Sequence, residues 1–338
     1  MQEDIYKFST DDFISLVNNN SSFVLTTHVN PDGDALGSEI GLAEWLLSLG
    51  KHVRVLNHSK VPENYHYIDA ENPILELYDE AKHKDVISGA DVFMLLDTND
   101  PERSKSLEPN FATHPNTVLI DHHLYPKQFA AHEFIDTNAT STGEMIYKLV
   151  KGAQPVLGGT ITKKGAQGLY VAIMTDTGSF RFPRTVAETF RISADLIDHG
   201  ADPVYAYDRT YNSSKPSRVL LIGRCLSSLK FHFGDKAAIQ YILQKDLAEC
   251  NAIEEEVDGF VQFPLQVNTV VFSIFLLELK TGWKISFRSK GEYSAAALAQ
   301  AYGGNGHFHA AGARIMETPS LEEILKSLTA NAEKQLNI

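Results

Sequence analysis

The sequence predicts an α/β protein. A mostly parallel sheet with flanking helices comes first, a smaller α+β domain follows, and an active-site cleft is expected between them. Three observations carry that prediction. Short apolar runs alternate with helical patterns over the first two-thirds of the chain. After about residue 205 the pattern changes to alternating strands and isolated helices. Finally, 338 residues are enough for two cores at about 150 residues per domain.

The strand-like runs of the first part are Phe23–Thr27, Val53–Leu56, Val92–Leu96 and Val118–Ile120. They are continuously apolar rather than alternating, as strands buried on both faces by crossover helices must be. Between and after them lie amphipathic stretches, Ala35–Leu49, Ser141–Lys151 and Val186–His199. Leu169–Thr175 reads as one more buried strand, delivering Asp176 at its end. Further on, Ser217–Lys230 is helical and Ala237–Leu243 alternates as a half-buried strand. Val270–Leu279 and Lys284–Arg288 form a hairpin turned by Lys280-Thr281-Gly282-Trp283. A short helix (Ser294–Ala301), a glycine-rich loop and a last helix (Leu321–Gln335) close the chain. The domains are therefore drawn at 1–205 and 233–338, with a helical linker over 206–232.

Composition narrows the function. Hydrophobic residues at 43% and charged residues at 22% describe an ordinary globular chain, neither disordered nor fibrous. With 43 acidic and 30 basic side chains the net charge is −13, which argues against a protein that coats long or duplex nucleic acid. A small anionic substrate in one local pocket stays open. Cys225 and Cys250 make neither a disulfide framework nor a zinc motif, and read as idle thiols in a reducing cytosol. The N-terminus is polar and acidic, without a signal-peptide pattern. The longest apolar stretch, Val270–Leu279, falls short of the ~18 residues of a spanning helix. A cytoplasmic protein with no membrane partner is expected.

The chemistry gathers where the apolar runs stop. Phe23–Thr27 leads into His28, Asp32 and Asp34; Val92–Leu96 into Asp97; Val118–Ile120 into Asp121-His122-His123; and the run from Leu169 into Asp176. In an open parallel sheet the carboxyl ends of the strands share one edge, where ligands bind. Carboxylates crowded there cannot all stay ionised without cations. Imidazole and carboxylate without thiolate suit Mn²⁺ or Mg²⁺, with Zn²⁺ or Co²⁺ admissible. Six or more ligands exceed the needs of one catalytic ion, and fit two ions about 3.5–4 Å apart, as in phosphatases and nucleases. Singly, each element has a plainer explanation. His28 can end a strand as a polar residue, Asp32-Gly33-Asp34 can be a turn and helix cap, and Asp97 and Asp176 can be strand-end turns. Weak signals at four places, all from the metal-ligand set, favour a site.

These motifs resemble those of the DHH phosphoesterases. His28-x-x-x-Asp32-x-Asp34, Asp97, Asp121-His122-His123 and Thr175-Asp176-Thr177-Gly178-Ser179-Phe180 fall in that family's order. Gly303-Gly304-Asn305-Gly306-His307 resembles the GGGH signature of its associated C-terminal domain, altered by Asn305. The resemblance spans nearly the whole chain. It implies that His28, Asp32 and Asp97 hold one Mn²⁺, and that Asp34, Asp97, His122 and Asp176 hold a second, with Asp97 bridging. It also implies that Asp121 orients His122 and that His123 lies at the scissile phosphate. An arginine–serine pair is used for substrate in the family, matching Arg288-Ser289. Gly304, Gly306 and His307 complete a phosphate clamp, for which glycine leaves backbone N–H groups open to an anion. Arg103, close after Asp97, reads as a surface arginine within reach of the cleft, and His309 as sharing a strand face with His307.

The implied reaction is metal-assisted phosphoester hydrolysis by a hydroxide, with water or His123 protonating the leaving group. Length and the missing membrane segments point to the nano-RNase and pAp-phosphatase branch. Its substrates are very short RNA and 3′-phosphoadenosine 5′-phosphate (pAp). Alternatives are a phosphodiesterase for linear or cyclic dinucleotides, pApA or c-di-AMP, and a non-catalytic nucleotide sensor. The chain is expected as monomer or homodimer. Two divalent ions would offset four of its net negative charges.

Overall fold

The computed structural model describes residues 9–124 and 127–336. Two compact units divide the chain, the first ending at Ser213 and the second starting at Ser214. In the first, six strands run parallel: β1 (Ser22–Thr26), β2 (His52–Asn57), β3 (Leu75–Leu77), β4 (Val92–Leu96), β5 (Thr117–Asp121) and β6 (His132–Ile135). Among the described residues, eight α-helices accompany them: α1 (Thr10–Asn19), α2 (Gly33–Ser48), α3 (Glu80–Ser88), α4 (Glu108–Thr113), α5 (Thr142–Leu157), α6 (Lys163–Asp176), α7 (Ala187–Asp198) and α8 (Pro203–Tyr211).

The strand order is β3-β2-β1-β4-β5-β6, so the order reverses between β1 and β4. Their carboxyl ends splay there and open a crevice. Both sheet faces are covered, which explains the unbroken apolar runs. Val24, Phe93, Leu95 and Leu119 face one core, with Ile87 of α3 and Phe111 of α4. Phe23, Leu25, Met94, Leu96, Val118 and Ile120 face the other, with α2, α5 and α6.

One expectation fails here. Leu169–Thr175 is not a strand but the C-terminal half of α6, buried from Leu169 to Met174. A helix enclosed on all sides needs no polar face, so its apolar run has no 3.6-residue period to distinguish it from a buried strand. The signals that identify it lie upstream, where Thr162 caps the helix by accepting from the Gly165 amide at 3.0 Å. Small residues then let α6 press against α2. A Cβ on Gly37 would stand 2.2 Å from the Gly168 carbonyl oxygen.

The second unit is a mixed sheet of β7 (Lys230–His232), β8 (Ala237–Ile242), β9 (Phe272–Glu278), β10 (Trp283–Ser289), β11 (Asn305–His307) and β12 (Ala310–Ile315), in order β11-β12-β10-β9-β8-β7. Its helices are α9 (Pro216–Ser228), α10 (Gln244–Cys250), α11 (Ala295–Gln300) and α12 (Leu321–Leu336). The β9–β10 hairpin turns at Gly282, whose φ of +80° favours glycine. Ile274, Ile285 and Phe287 pack on α11 and α12, while Phe275, Leu277 and Ile242 pack on α9 and α10. The stretch 206–232 is divided between the units, α8 lying in the first and α9 in the second.

His307 and His309 do not share a strand face. The chain reverses at Phe308–His309, so His307 ends β11 and His309 precedes β12. Both cysteines are free and buried. Among the described residues, no helix is long and apolar enough to cross a membrane.

Candidate metal centre

The crevice between β1 and β4 collects the predicted ligands. Thr27 ties the two strand ends together, its hydroxyl donating to the Leu96 carbonyl at 2.8 Å and its amide to Asn57 Oδ1 at 3.2 Å. His28 follows. Its Nδ1 sits 2.9 Å from the Val29 carbonyl, which accepts only, so the proton is on Nδ1 and the Nε2 lone pair is free. That Nε2 lies 3.5 Å from Asp97 Oδ2. Asp32 caps α2, accepting from the amides of Asp34 and Ala35.

Asp97 has a φ of +61°, an uncommon conformation that aspartate tolerates better than most L-residues. This kink at the end of β4 coincides with a carboxylate facing the cluster, where Thr142 Oγ1 donates to Oδ1 at 3.0 Å. Asp34 is held by the first turn of α5, whose Thr142 and Gly143 amides donate to its two oxygens at 2.8 and 2.9 Å. A helix N-terminus favours negative charge. Neither Thr142 nor Gly143 was assigned a role from the sequence. The available signal was Ser141-Thr142-Gly143-Glu144, a capping pattern in which Ser141 accepts from the Glu144 amide.

His122 Nε2 stands among three carboxylates, 3.6 Å from Asp34 Oδ2, 3.7 Å from Asp97 Oδ1 and 3.2 Å from Asp176 Oδ2. Three overlapping ligand groups result: His28, Asp32 and Asp97; Asp34, His122 and Asp176; and Asp97, His122 and His123. Asp97 belongs to the first and third groups and not to the second.

Asp121 behaves differently from expectation. Both of its oxygens engage His123, accepting from the backbone amide at 3.1 Å and lying 2.7 Å from Nδ1. Among the described residues His122 Nδ1 has no partner in good hydrogen-bond geometry, and the Ala139 carbonyl nearby favours the protonated ring. The shared strand end places Asp121 and His123 on one side, two residues apart. Arg103 is exposed, yet its charge disfavours protonation of both His28 and His123, so it stands beside the cluster.

The electrostatics test whether cations fit. Burial, then Asp97, Asp176 and Asp32, hold the Asp34 carboxyl well above the usual carboxylate range. Asp97 is raised by burial, then Asp32, Asp121 and Asp176. Asp176 is pushed up to about 6 by burial and then Asp32. Burial lowers His28, and burial with neighbouring His123 brings His122 down to about 4. Raised carboxyl pKa values at Asp34, Asp97 and Asp176 beside lowered ones at His28 and His122 mean that burial and crowding disfavour charge here unless a cation compensates it. Separations of 3.2–3.7 Å approach those of neighbouring ligands on a common ion with bonds of about 2.1 Å. An oxygen and imidazole donor set fits divalent cations of the Mg²⁺, Mn²⁺ or Zn²⁺ type.

In the second unit, Arg288 of β10 and His307 of β11 both pair with Ala310 of β12. Directly opposed residues project from one face, so a small residue separates these two basic side chains by two strand spacings, about 10 Å. Ser289 Oγ lies 3.1 Å from His309 Nδ1 and accepts from the Ala295 amide at 3.2 Å. Gly304 and Gly306 have packing reasons to be glycine. A Cβ would stand 2.2 Å from the Gly312 carbonyl oxygen in one case and 2.5 Å from that of Ala310 in the other.

Residues 22–173 match the DHH family N-terminal domain, and residues 234–334 match the DHHA1 domain. The chain belongs to the DHH family. A Thermus thermophilus protein named bifunctional oligoribonuclease and PAP phosphatase NrnA is 32% identical, covering 86% of this chain and 83% of that protein. A Bacillus subtilis protein of the same name is 27% identical over 91% of this chain and 93% of its own length. A crystal structure from Bacteroides fragilis, described as an exopolyphosphatase-related protein, superposes with a TM-score of 0.85. It has 31% identity and covers 99% of this chain and 98% of that one. DHH phosphoesterases use divalent metals, and the Asp/His cluster of the first unit could hold them.

Proposed function

We propose that this DHH phosphoesterase hydrolyses very short oligoribonucleotides to mononucleotides and pAp to AMP. The observation that carries the reading is the Asp/His cluster, gathered from the ends of β1, β4, β5, α2 and α6 into one crevice. Names given to relatives over most of both chains support the substrate class.

His28, Asp32 and Asp97 would hold one Mn²⁺; Asp34, Asp97, His122 and Asp176 would hold the other, with Asp97 shared. When bound, such ions supply Lewis acidity and lower the pKa of water to give a nucleophile at neutral pH. The Thr142 hydroxyl fixes the Asp97 carboxylate, and the α5 amides fix that of Asp34. His123, with Nδ1 pinned on Asp121, presents its other nitrogen as the proton donor to the leaving alkoxide; the Asp121 contact raises its pKa. The domain over 1–205 is the catalytic one. The domain over 233–338 contributes substrate contacts, with Arg288, Ser289, Gly304, Gly306 and His307 holding a second phosphate. A buried carboxylate cluster without ions repels a phosphate, and one filled with ions attracts it.

The experiment is a rate comparison with Mn²⁺ on pAp, RNA of two to five nucleotides, longer RNA, cyclic dinucleotides and pyrophosphate. The reading requires pAp and the shortest RNAs to lead. Preference for long RNA or pyrophosphate refutes the substrate class, and binding of pAp without turnover refutes the reaction.

A further inference from the structure

Opening from the ligand cluster, wholly within the first unit, lies a cavity of about 620 Å³, and the mechanism above gives no role to its wall over Phe182–Thr185. His122, His123 and Asp176 form its inner wall. Phe182, Arg184 and Thr185 line it from the segment that follows α6. Its size suits a nucleoside-sized ligand.

Three features mark it as a built site. First, the Phe182 ring is 53% exposed, and Leu124, also in the lining, is 54% exposed. Large apolar groups left open beside charged residues are what an apolar, flat ligand covers. Second, the Thr185 hydroxyl is buried with no hydrogen-bond partner among the described residues, and a native protein seldom leaves such a group unsatisfied. Third, the backbone is forced to make this wall. Gly178, Ser179 and Phe180 all have positive φ, 56°, 59° and 64°, a run that L-residues resist and that clusters at functional sites. Phe180 packs against the core of the unit, its ring 5.9 Å from that of Tyr170. Phe182 then folds back until its ring covers Gly178, where a Cβ would meet it at 2.5 Å. The segment that carries Asp176 into the cluster thus also carries an aromatic face and a guanidinium to its rim. Arg184 donates to the Ala139 carbonyl at 3.4 Å, and its charge is felt at Asp176 and His122.

We propose that this cavity seats the nucleoside attached to the scissile phosphate, its base stacked on Phe182 and a phosphate oxygen on the Arg184 guanidinium. The inference rests on the phosphoesterase reading above and names a subsite for it. Stacking tolerates any base, because every base has a π-face. Arginine's planar fork suits phosphate oxygens. The pocket therefore requires a nucleoside next to the cleaved bond, without selecting its identity.

The test compares wild type with Phe182→Leu and Arg184→Ala on pApA and on two analogues, each abasic at one of the two nucleosides, with bound metal measured in parallel. Phe182→Leu should lower kcat/KM for pApA by about 5- to 150-fold, the range of one lost base stack. That loss should vanish on one abasic analogue only. Arg184→Ala should weaken pApA and both analogues alike, and Arg184→Lys should recover part of the loss. No Phe182→Leu effect on pApA, or equal effects on all three substrates, overturns the proposal. Binding of 2-aminopurine riboside 5′-monophosphate separates the two readings. Wild type should quench its fluorescence and Phe182→Leu should not, whether or not any substrate is hydrolysed. Equal quenching by both proteins overturns the pocket assignment, whereas quenching without hydrolysis by wild type sinks only the phosphoesterase reading.

Discussion

Glu39, in the middle of α2, is wholly buried, and burial pushes its carboxyl up to about 8. Asn57 donates to Oε2 at 2.7 Å, while Oε1 has no partner among the described residues. Asn57 in turn accepts from the Thr27 amide that precedes His28. Near neutral pH the folded chain keeps Glu39 protonated, whereas the unfolded chain releases that proton around 4.5. Between those values the folded state binds one proton more. Stability therefore falls as pH rises, by about 1.4 kcal/mol per unit, and levels off above pH 8. Glu39→Gln keeps the shape and removes the charge. It should match wild type at pH 4.5 and exceed it by about 4 kcal/mol at pH 8, a Tm difference of about 8–16 °C for a unit of this size. The assay is thermal unfolding by tryptophan fluorescence in EDTA, from pH 5 to 8. A Trp283→Phe background leaves Trp45 to report on the first unit. The shifted carboxyls of Asp34 and Asp97 give both proteins a common slope that cancels in the difference. Parallel curves, or a less stable variant at pH 8, would refute the assignment of Glu39 as a buried neutral acid.

Three other expectations are simpler to check. Asp97→Ala removes the carboxylate shared by two ligand groups, so turnover should disappear and bound Mn²⁺ should fall; wild-type activity would end the two-ion reading. Gly37→Ala places a methyl against the Gly168 carbonyl oxygen and should cost about 1–3 kcal/mol as overpacking, read as a lower Tm with the far-UV spectrum kept. Ala310→Val fills the gap between Arg288 and His307 and should raise KM for pAp about tenfold, the scale of one lost charged hydrogen bond. Bound metal should be unchanged, and a normal KM would remove the clamp from this row of the sheet.

Much of the site was legible because parallel strands advertise themselves as apolar runs and their carboxyl ends share an edge. His28, Asp34, Asp97 and His122 could be read that way before any coordinates. Asp176 was placed in the right cluster through the wrong element, since an enclosed helix and an enclosed strand present the same apolar run. The partner of Asp121 was misjudged because adjacency in sequence says little about which side of a strand end a ring occupies. The roles of Thr142, Gly143 and Phe182 were out of reach. They depend on where a helix N-terminus and a left-handed turn arrive in space, which residue spacing does not encode. The β11–β12 reversal at Phe308–His309 was hidden for a related reason, as no glycine, proline or asparagine occupies the turn itself.

The placement of Asp176 at the end of α6 has a consequence for the order in which the protein is made. Its cluster partners at His28, Asp32, Asp34, Asp97 and His122 all leave the ribosome earlier, as does the α5 turn that grips Asp34. Until α6 emerges and wedges its glycines against α2, those carboxylates lack both their last member and the packing that holds them together. A nascent chain halted before α6 thus carries most of the acids and none of the finished centre. Metal uptake by ribosome-bound chains of increasing length would rise in one step, once residues past Asp176 clear the exit tunnel.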